Sequence, residues 1–334
     1  MNYRSLGASG LKVSPLCLGT MIFGSRTDEP TAGRIVGQAR DAGINFIDTA
    51  DAYNAGETEK IVGRIIKEDR DRWVLATKMV NPMGDDPHRR GASRKWVMQA
   101  IEESLTRLGT DYVDIYYLHK EDLSTPLDET VRALGDLIRA GKIRYFGLSN
   151  YRAWRHAEVI WLCRALGVPK PVVSSPYYNA MNRMPEVEIL PACGHYEMGV
   201  VPYSPVARGM LTGKYKPGAA PDPDSRAGLK DARMMQTEFR EESMVAAQKI
   251  VDHARTKGMT PVQFACAWVL KNPLVTATIA GPRTEDQMKD YLGTLDVTLD
   301  ADDEALVDGL VAPGHPSTPG YNDPAYPLEG RPVG

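Results

Sequence analysis

Gly43-Ile44-Asn45-Phe46-Ile47-Asp48-Thr49-Ala50-Asp51-Ala52-Tyr53 reads as one buried strand followed by a loop that exposes a carboxylate and a phenol. Ile44, Phe46 and Ile47 are apolar and favour extended backbone, Gly43 ends the segment before them, and Asp48 stands where the apolar run stops. Segments of this kind recur, with candidate strands starting near Leu16, Ile44, Trp73, Tyr112, Ile143, Val172, Val200 and Val275. Between them lie helix-period segments with readable ends. Ser93 caps a run through Val97, Ile101, Leu105 and Leu108 that stops at Gly109; Thr125-Pro126 opens another through Val131, Leu134, Leu137 and Ile138 that stops at Gly141. Strands alternating with helices pair in parallel and are covered on both faces, which suits the largely apolar Tyr112–Leu118 and Gly199–Tyr203. The strand count and a period of about 30 residues predict an α/β protein, a (β/α)8 TIM barrel. The alternative is a doubly wound open sheet. Its nucleotide-binding form needs G-x-G-x-x-G, and the chain contains no G-x-G.

Three further segments complete the plan. Tyr3–Leu6 and Leu11–Val13, joined by Gly7-Ala8-Ser9-Gly10, read as an N-terminal β-hairpin. After the seventh strand, Val206–Arg240 is rich in Gly, Pro, Arg and Lys with little periodicity, a long loop of the sort that serves as a functional lid. Helices are expected over 241–257 and 261–271, then an eighth strand at Leu274–Ile279. Residues 313–334 hold six prolines and four glycines and read as an extended tail, so one barrel domain is expected over 1–312.

Composition excludes several function classes. Of 334 residues 43% are hydrophobic and 25% charged, with a net charge of −3, which offers no basic footprint for nucleic acid or an acidic membrane surface. No uncharged run approaches the ~18 apolar residues of a membrane span, and the N-terminus has no apolar signal core. Cys17, Cys163, Cys193 and Cys266 sit in or beside apolar segments without any C-x-x-C, and read as reduced, packed residues in a cytoplasmic setting. The six histidines are dispersed, so no metal site is expected. Nothing marks a partner surface or an oligomeric state.

In a (β/α)8 barrel the active site lies at the C-terminal ends of the strands. Those ends carry Asp48, Lys78 and His119 on the second, third and fourth strands, with Tyr53 just past the second. Each residue alone has a bland explanation: an ion pair between strands, a solvated lysine, a packed histidine. Together they suit proton transfer to a carbonyl oxygen. A free phenol has a pKa near ~10; a neighbouring Lys⁺ lowers it, and a carboxylate paired with that lysine holds the charge in place. No G-x-S-x-G and no Cys beside a His offers a nucleophile. A tyrosine acid without nucleophile or metal needs an electron-pair donor, which a hydride cofactor would supply.

The chain resembles the aldo-keto reductase superfamily from Tyr3 to about Thr294, and is broadly similar to its potassium-channel β-subunit and aryl-alcohol-dehydrogenase-like branch. The matching segments are Gly19-Thr20-Met21, Asn45-Phe46-Ile47-Asp48-Thr49-Ala50 with Tyr53, Ala76-Thr77-Lys78, Leu118-His119, Gly147-Leu148-Ser149-Asn150, Tyr203-Ser204-Pro205 with Gly209 to Lys214, and Ile279-Ala280-Gly281-Pro282-Arg283. The resemblance implies that Asp48, Tyr53, Lys78 and His119 form a catalytic tetrad and that NADP(H) carries hydride to the carbonyl of a small molecule. It places the carboxamide at Ser149 and Asn150, with Ser175 beside them, the nicotinamide ring on Tyr203, the pyrophosphate at Ser204, Val206 and Gly209, and the 2′-phosphate at Arg283 and Gln287; Gly19, Thr20, Met21, Asp48, Pro205, Lys214 and Gly281 complete the expected cofactor-binding set. An arginine fork suits a phosphate dianion, which favours NADP over NAD. Ser175 stands where the family usually has Gln, and Tyr291 where it often has Asn. Two other functions share the barrel: a Schiff-base lyase using Lys78, and a regulatory subunit that binds nucleotide and turns over slowly. The loops at Met79–Ala92, Lys120–Pro126 and Val206–Arg240 and the tail are expected to set the substrate.

Overall fold

The structure, a computed structural model, describes residues 1–327; residues 328–334 of the expected tail lie outside the described residues. It divides into two compact units. The first comprises 1–177, 188–203 and 272–292, the second 178–187, 204–271 and the chain from 293 onward.

The first unit holds the sheet. Its strands are β1 (Leu16–Gly19), β2 (Phe46–Asp48), β3 (Val74–Met79), β4 (Val113–Leu118), β5 (Ile143–Ser149), β6 (Val173–Ser175), β7 (Gly199–Val200) and β8 (Thr278–Ala280). Each pairs in parallel with its successor through β7, and β8 pairs with β1. The seam between β7 and β8 is closed by Thr276 N donating to Val200 O at 2.8 Å and Ile279 N to Pro202 O at 2.9 Å. Both seam strands are shorter than the sequence predicts. Pro202 has no N–H to continue β7, and Asn272 turns the chain ahead of β8, its side chain accepting from Leu274 N and its carbonyl from Val275 N. The strands alternate with helices α1 (Glu29–Asp41), α2 (Glu57–Ile66), α3 (Arg94–Leu108), α4 (Leu127–Arg139), α5 (Ala153–Leu166) and α6 (Ile189–His195). The fold is the (β/α)8 TIM barrel, with its N-terminal hairpin.

That hairpin pairs Arg4–Ser5 with Lys12–Val13. Its Leu6 and Val13 are buried in one cluster with Cys17, Phe46, Ala76, Ile115, Tyr117 and Val173, so it seals one end of the strands with apolar contact. Gly7, at φ 56°, presses so close that a Cβ would lie 2.6 Å from Glu197 O and Gly199 N. Helix ends follow the sequence at α3, where Ser93 accepts from Trp96 N and Gly109 turns left-handed at φ 63°. At α4 the stop also holds, Gly141 turning left-handed at φ 71° after Ala140, but the start does not: Thr125 gives its hydroxyl to Asp122, and Pro126 occupies the cap position with no side-chain bond.

In the second unit the segment 206–240 is more ordered than its composition indicates. Ala207–Thr212 forms 3-10 turns, and Asp231 caps a short helix at Ala232–Thr237. Longer helices follow at Glu241–Thr256, Pro261–Lys271 and Ala301–Leu310. The described part of the tail is tied to this segment by the Arg233–Asp323 fork and by Tyr321, which donates to Gln236 O and lies under Arg240. No helix among the described residues is long and apolar enough to cross a membrane, and all four cysteines are free and buried.

Candidate active site

Parallel pairing brings the ends of β2, β3 and β4 to one edge, with Asp48 opposite Ala76 and Lys78 opposite Tyr117. There the Lys78 ammonium uses all three of its donors: on Asp48 Oδ2 at 2.5 Å, Thr49 O at 2.8 Å and the Tyr53 hydroxyl oxygen at 3.1 Å. Lys78 and Asp48 are each only 3% exposed. An ion pair so buried persists only because both charges keep good partners. Burial alone would lower the Lys78 pKa; the Asp48 charge and Tyr53 override it and hold the amine above its ordinary value. Burial also raises Asp48, against the pull of Lys78. The phenol oxygen accepts from Lys78, so its own O–H stays available to a substrate.

One expectation needs correction. Lys78 does favour the phenolate, but burial outweighs it and leaves the Tyr53 pKa raised rather than depressed. The phenol is therefore a proton donor at neutral pH. His119, just past β4, meets the Tyr53 ring edge-on at 5.9 Å. Burial, then the charges of Lys78 and Lys120, push its pKa well below the ordinary value, so the ring is neutral.

Behind this edge lies a charged cluster that the sequence reading missed. Asp51 is fully buried; one carboxylate oxygen accepts from Ala52 N at 2.6 Å, and the other has no partner among the described residues. Glu59, also fully buried on α2, accepts from Thr77 Oγ1 at 2.5 Å and from Arg107 Nε on α3 at 2.7 Å. Burial, then the nearby Glu59, push the Asp51 pKa up to about 8. The unfolded chain releases this proton near pH ~4, whereas the folded chain keeps it until about pH 8. Folding stability should therefore fall as pH rises through that window, by at most ~1.4 kcal/mol per unit. Asp51→Asn should abolish that slope. Urea midpoints at pH 5 and pH 8 that move in parallel for wild type and variant would refute the assignment.

The residues expected around the cofactor fall in two sets, one in each unit. In the first, Ser149, Asn150, Ser175 and Tyr203 form one network. Ser149 Oγ donates to Ser175 O, Asn150 Nδ2 to His119 O, and the Tyr203 hydroxyl to Asn150 Oδ1 at 2.8 Å. Tyr203 also stacks on Tyr177, centroids 5.4 Å apart. Ser175 Oγ is buried with no partner among the described residues, a polar atom waiting for one. Thr20 is tied to Asp48 O, and Met21 is exposed. Gly19 is explained by packing, since a Cβ there would lie 2.5 Å from Ile279 Cγ2. Gly281 is exposed with open space around it. Arg283 has its main chain held on both sides, by Thr27 at its carbonyl and by Gln287 Oε1 at its N–H. Gln287 thus acts first as a backbone partner.

In the second unit, Ser204, Pro205, Val206, Gly209 and Lys214 share one tight loop. Ser204, Ala207, Arg208 and Gly209 all have positive φ, and the loop is closed on itself, Ala207 N donating to Ser204 O and Gly209 N to Val206 O, both at 2.9 Å. Gly209, at φ 99°, lets the Lys214 side chain lie against it: a Cβ there would stand 2.8 Å from Lys214 Nζ and 2.9 Å from its Cε.

A model of the aldo/keto reductase family matches residues 15–312. The chain is 38% identical over 311 residues to the uncharacterized oxidoreductase YrpG of Bacillus subtilis (strain 168), covering 90% of this chain and 93% of that protein. It is 37% identical over 303 residues to a probable voltage-gated potassium channel subunit beta of Arabidopsis thaliana, covering 89% and 92%. It is 31% identical over 324 residues to the L-glyceraldehyde 3-phosphate reductase of Escherichia coli (strain K12), covering 94% and 93%.

Proposed function

Because the chain belongs to the aldo/keto reductase family, we propose that this oxidoreductase reduces an aldehyde or ketone to the alcohol, reversibly, with NADPH. The observation that carries the reading is the Lys78 ammonium fixed between Asp48 and the Tyr53 hydroxyl. A bound nicotinamide would supply the hydride. Tyr53 gives its O–H proton to the carbonyl oxygen. Lys78 stabilises the phenolate left behind, Asp48 holds Lys78 in place, and solvent returns the proton. A Schiff base would require Lys78 as a neutral amine, and its three acceptors and raised pKa work against that.

The cofactor fits the residues present. Within the first unit, Asn150 and the buried Ser175 Oγ suit a carboxamide and Tyr203 a flat ring; in the second, taken by itself, the Lys214 ammonium suits a pyrophosphate. Arg283 would meet the 2′-phosphate through its guanidinium. Titration with NADPH and NADH, followed by nicotinamide absorbance loss with a panel of aldehydes and ketones, tests the reading. Arg283→Ala should weaken NADPH binding about 10- to 100-fold, the worth of one charge-assisted hydrogen-bonded pair, and leave NADH nearly unchanged. Equal loss for both would remove Arg283 from the phosphate site.

The name of the Arabidopsis relative favours a second reading, a nucleotide-binding regulatory subunit with slow turnover. Tight NADPH retention without turnover on the panel would move that reading ahead. For either role we place the protein in the cytoplasm, where four unpaired cysteines stay reduced.

A further inference from the structure

Carbonyl reduction as proposed accounts for the proton on Tyr53 and leaves the one on His119 unassigned. His119 Nδ1 lies 3.0 Å from the side-chain nitrogen of Asn81. An amide NH₂ only donates, so the ring nitrogen facing it accepts and carries no hydrogen. A neutral imidazole carries one proton, which must then sit on Nε2.

We propose that Asn81 is a positioning residue that fixes His119 as its Nε2–H tautomer, the form in which the histidine of an aldo-keto reductase tetrad can donate to the substrate carbonyl oxygen beside the Tyr53 hydroxyl. Two donors aimed at one oxygen favour the alkoxide character that develops there as hydride arrives. The inference deepens the reductase reading and rests on it for the substrate's part.

The backbone argues that Asn81 is placed deliberately. Val80, immediately before it, has φ 101° although it is β-branched and only 2% exposed. That conformation strongly disfavours a branched side chain and persists only when its surroundings over-determine it. They do here: Gly91 N donates to Val80 O at 2.9 Å, and His119 N donates to Met79 O at 3.0 Å. The chain leaving β3 is thereby turned so that Asn81 comes back against the residue that ends β4. A relaxed Val80 would carry Asn81 elsewhere. The second of these bonds ties the main chain of His119 to β3, so ring and amide are held from one support.

The test locates the proton directly. Imidazole ¹⁵N spectra of the nucleotide-free protein, with His119 assigned by comparison with His119→Gln, distinguish a protonated Nε2 from a protonated Nδ1. Wild type should show Nε2–H. Asn81→Asp offers only acceptors and should move the proton to Nδ1; reduction kcat should then fall about 100-fold, the typical loss of one such donor, with nucleotide affinity unchanged. Asn81→Ala, which imposes no preference, should show both tautomers and an intermediate loss. Unaltered circular dichroism would confirm that the variants fold. Nδ1–H in wild type would overturn the proposal, since the amide oxygen would then face the ring. A tautomer that flips in Asn81→Asp without loss of kcat would overturn the donor role. The spectra need no substrate, so a wild type with Nε2–H that reduces nothing on the panel would count against the reductase reading and leave the Asn81 assignment standing.

Discussion

Tyr53→Phe should lower the rate of carbonyl reduction by about 10²- to 10⁴-fold, the usual contribution of a positioned proton donor, while the protein stays folded and binds NADPH as before. The substitution removes one oxygen and nothing else. Lys78 keeps Asp48 Oδ2 and Thr49 O, so the buried ion pair survives. Hydride would then be transferred to a carbonyl whose oxygen receives no proton from the protein. The raised Tyr53 pKa gives the effect a direction. Reduction uses the protonated phenol and should stay flat through neutral pH, whereas alcohol oxidation needs the phenolate and should climb with rising pH. Stopped-flow rates of reduction and of alcohol oxidation across pH 6 to 9 check both statements. Turnover in Tyr53→Phe within a few-fold of wild type would remove Tyr53 from the proton-transfer step.

Arg107→Ala should be the most damaging change to stability outside the tetrad, costing about 3–5 kcal/mol, because it leaves a buried carboxylate without its cation. Glu59 is wholly buried, and its oxygens have Arg107 and the Thr77 hydroxyl as partners. The loss should appear as a lower urea midpoint with unchanged slope. The double change Arg107→Met with Glu59→Gln should recover most of it, since replacing both members of a buried pair removes the stranded charge. A single variant that loses less than ~1 kcal/mol would mean that Glu59 does not depend on Arg107.

The two results probe features that differ in how far the sequence displays them. Asp48, Lys78 and His119 are legible because each ends an apolar run, and the barrel turns equivalent run-ends into neighbours. Tyr53 is legible because its loop is short. The Asp51–Glu59–Arg107 cluster is not, since Arg107 lies 48 positions from Glu59 and sits in an ordinary helical pattern. Only the fold makes those two neighbours. Asn81 was hidden for a different reason: nothing in Met79-Val80-Asn81 announces that a valine will adopt φ 101°. The seam strands are shorter than their residues promise, because Val201 and Leu274 favour strand while Pro202 and Asn272 end it.

The sealing hairpin bears on how the chain is made. Its Arg4 guanidinium bonds to Val275 O at 3.1 Å and Thr276 O at 3.3 Å, and Ala8 N bonds to Glu197 O at 2.8 Å. The hairpin therefore finds its partners among residues made far later, the Arg4 bonds spanning 271 and 272 positions. Until then the cluster around Leu6 and Val13 lacks Ala277 and Ile279, and β1 has no β8 beside it. Contacts so remote in sequence slow folding and prolong the exposure of apolar surface. Docking of the hairpin should thus wait until nearly the whole barrel has been made, and a change in the hairpin would act on a late event of assembly, not an early one.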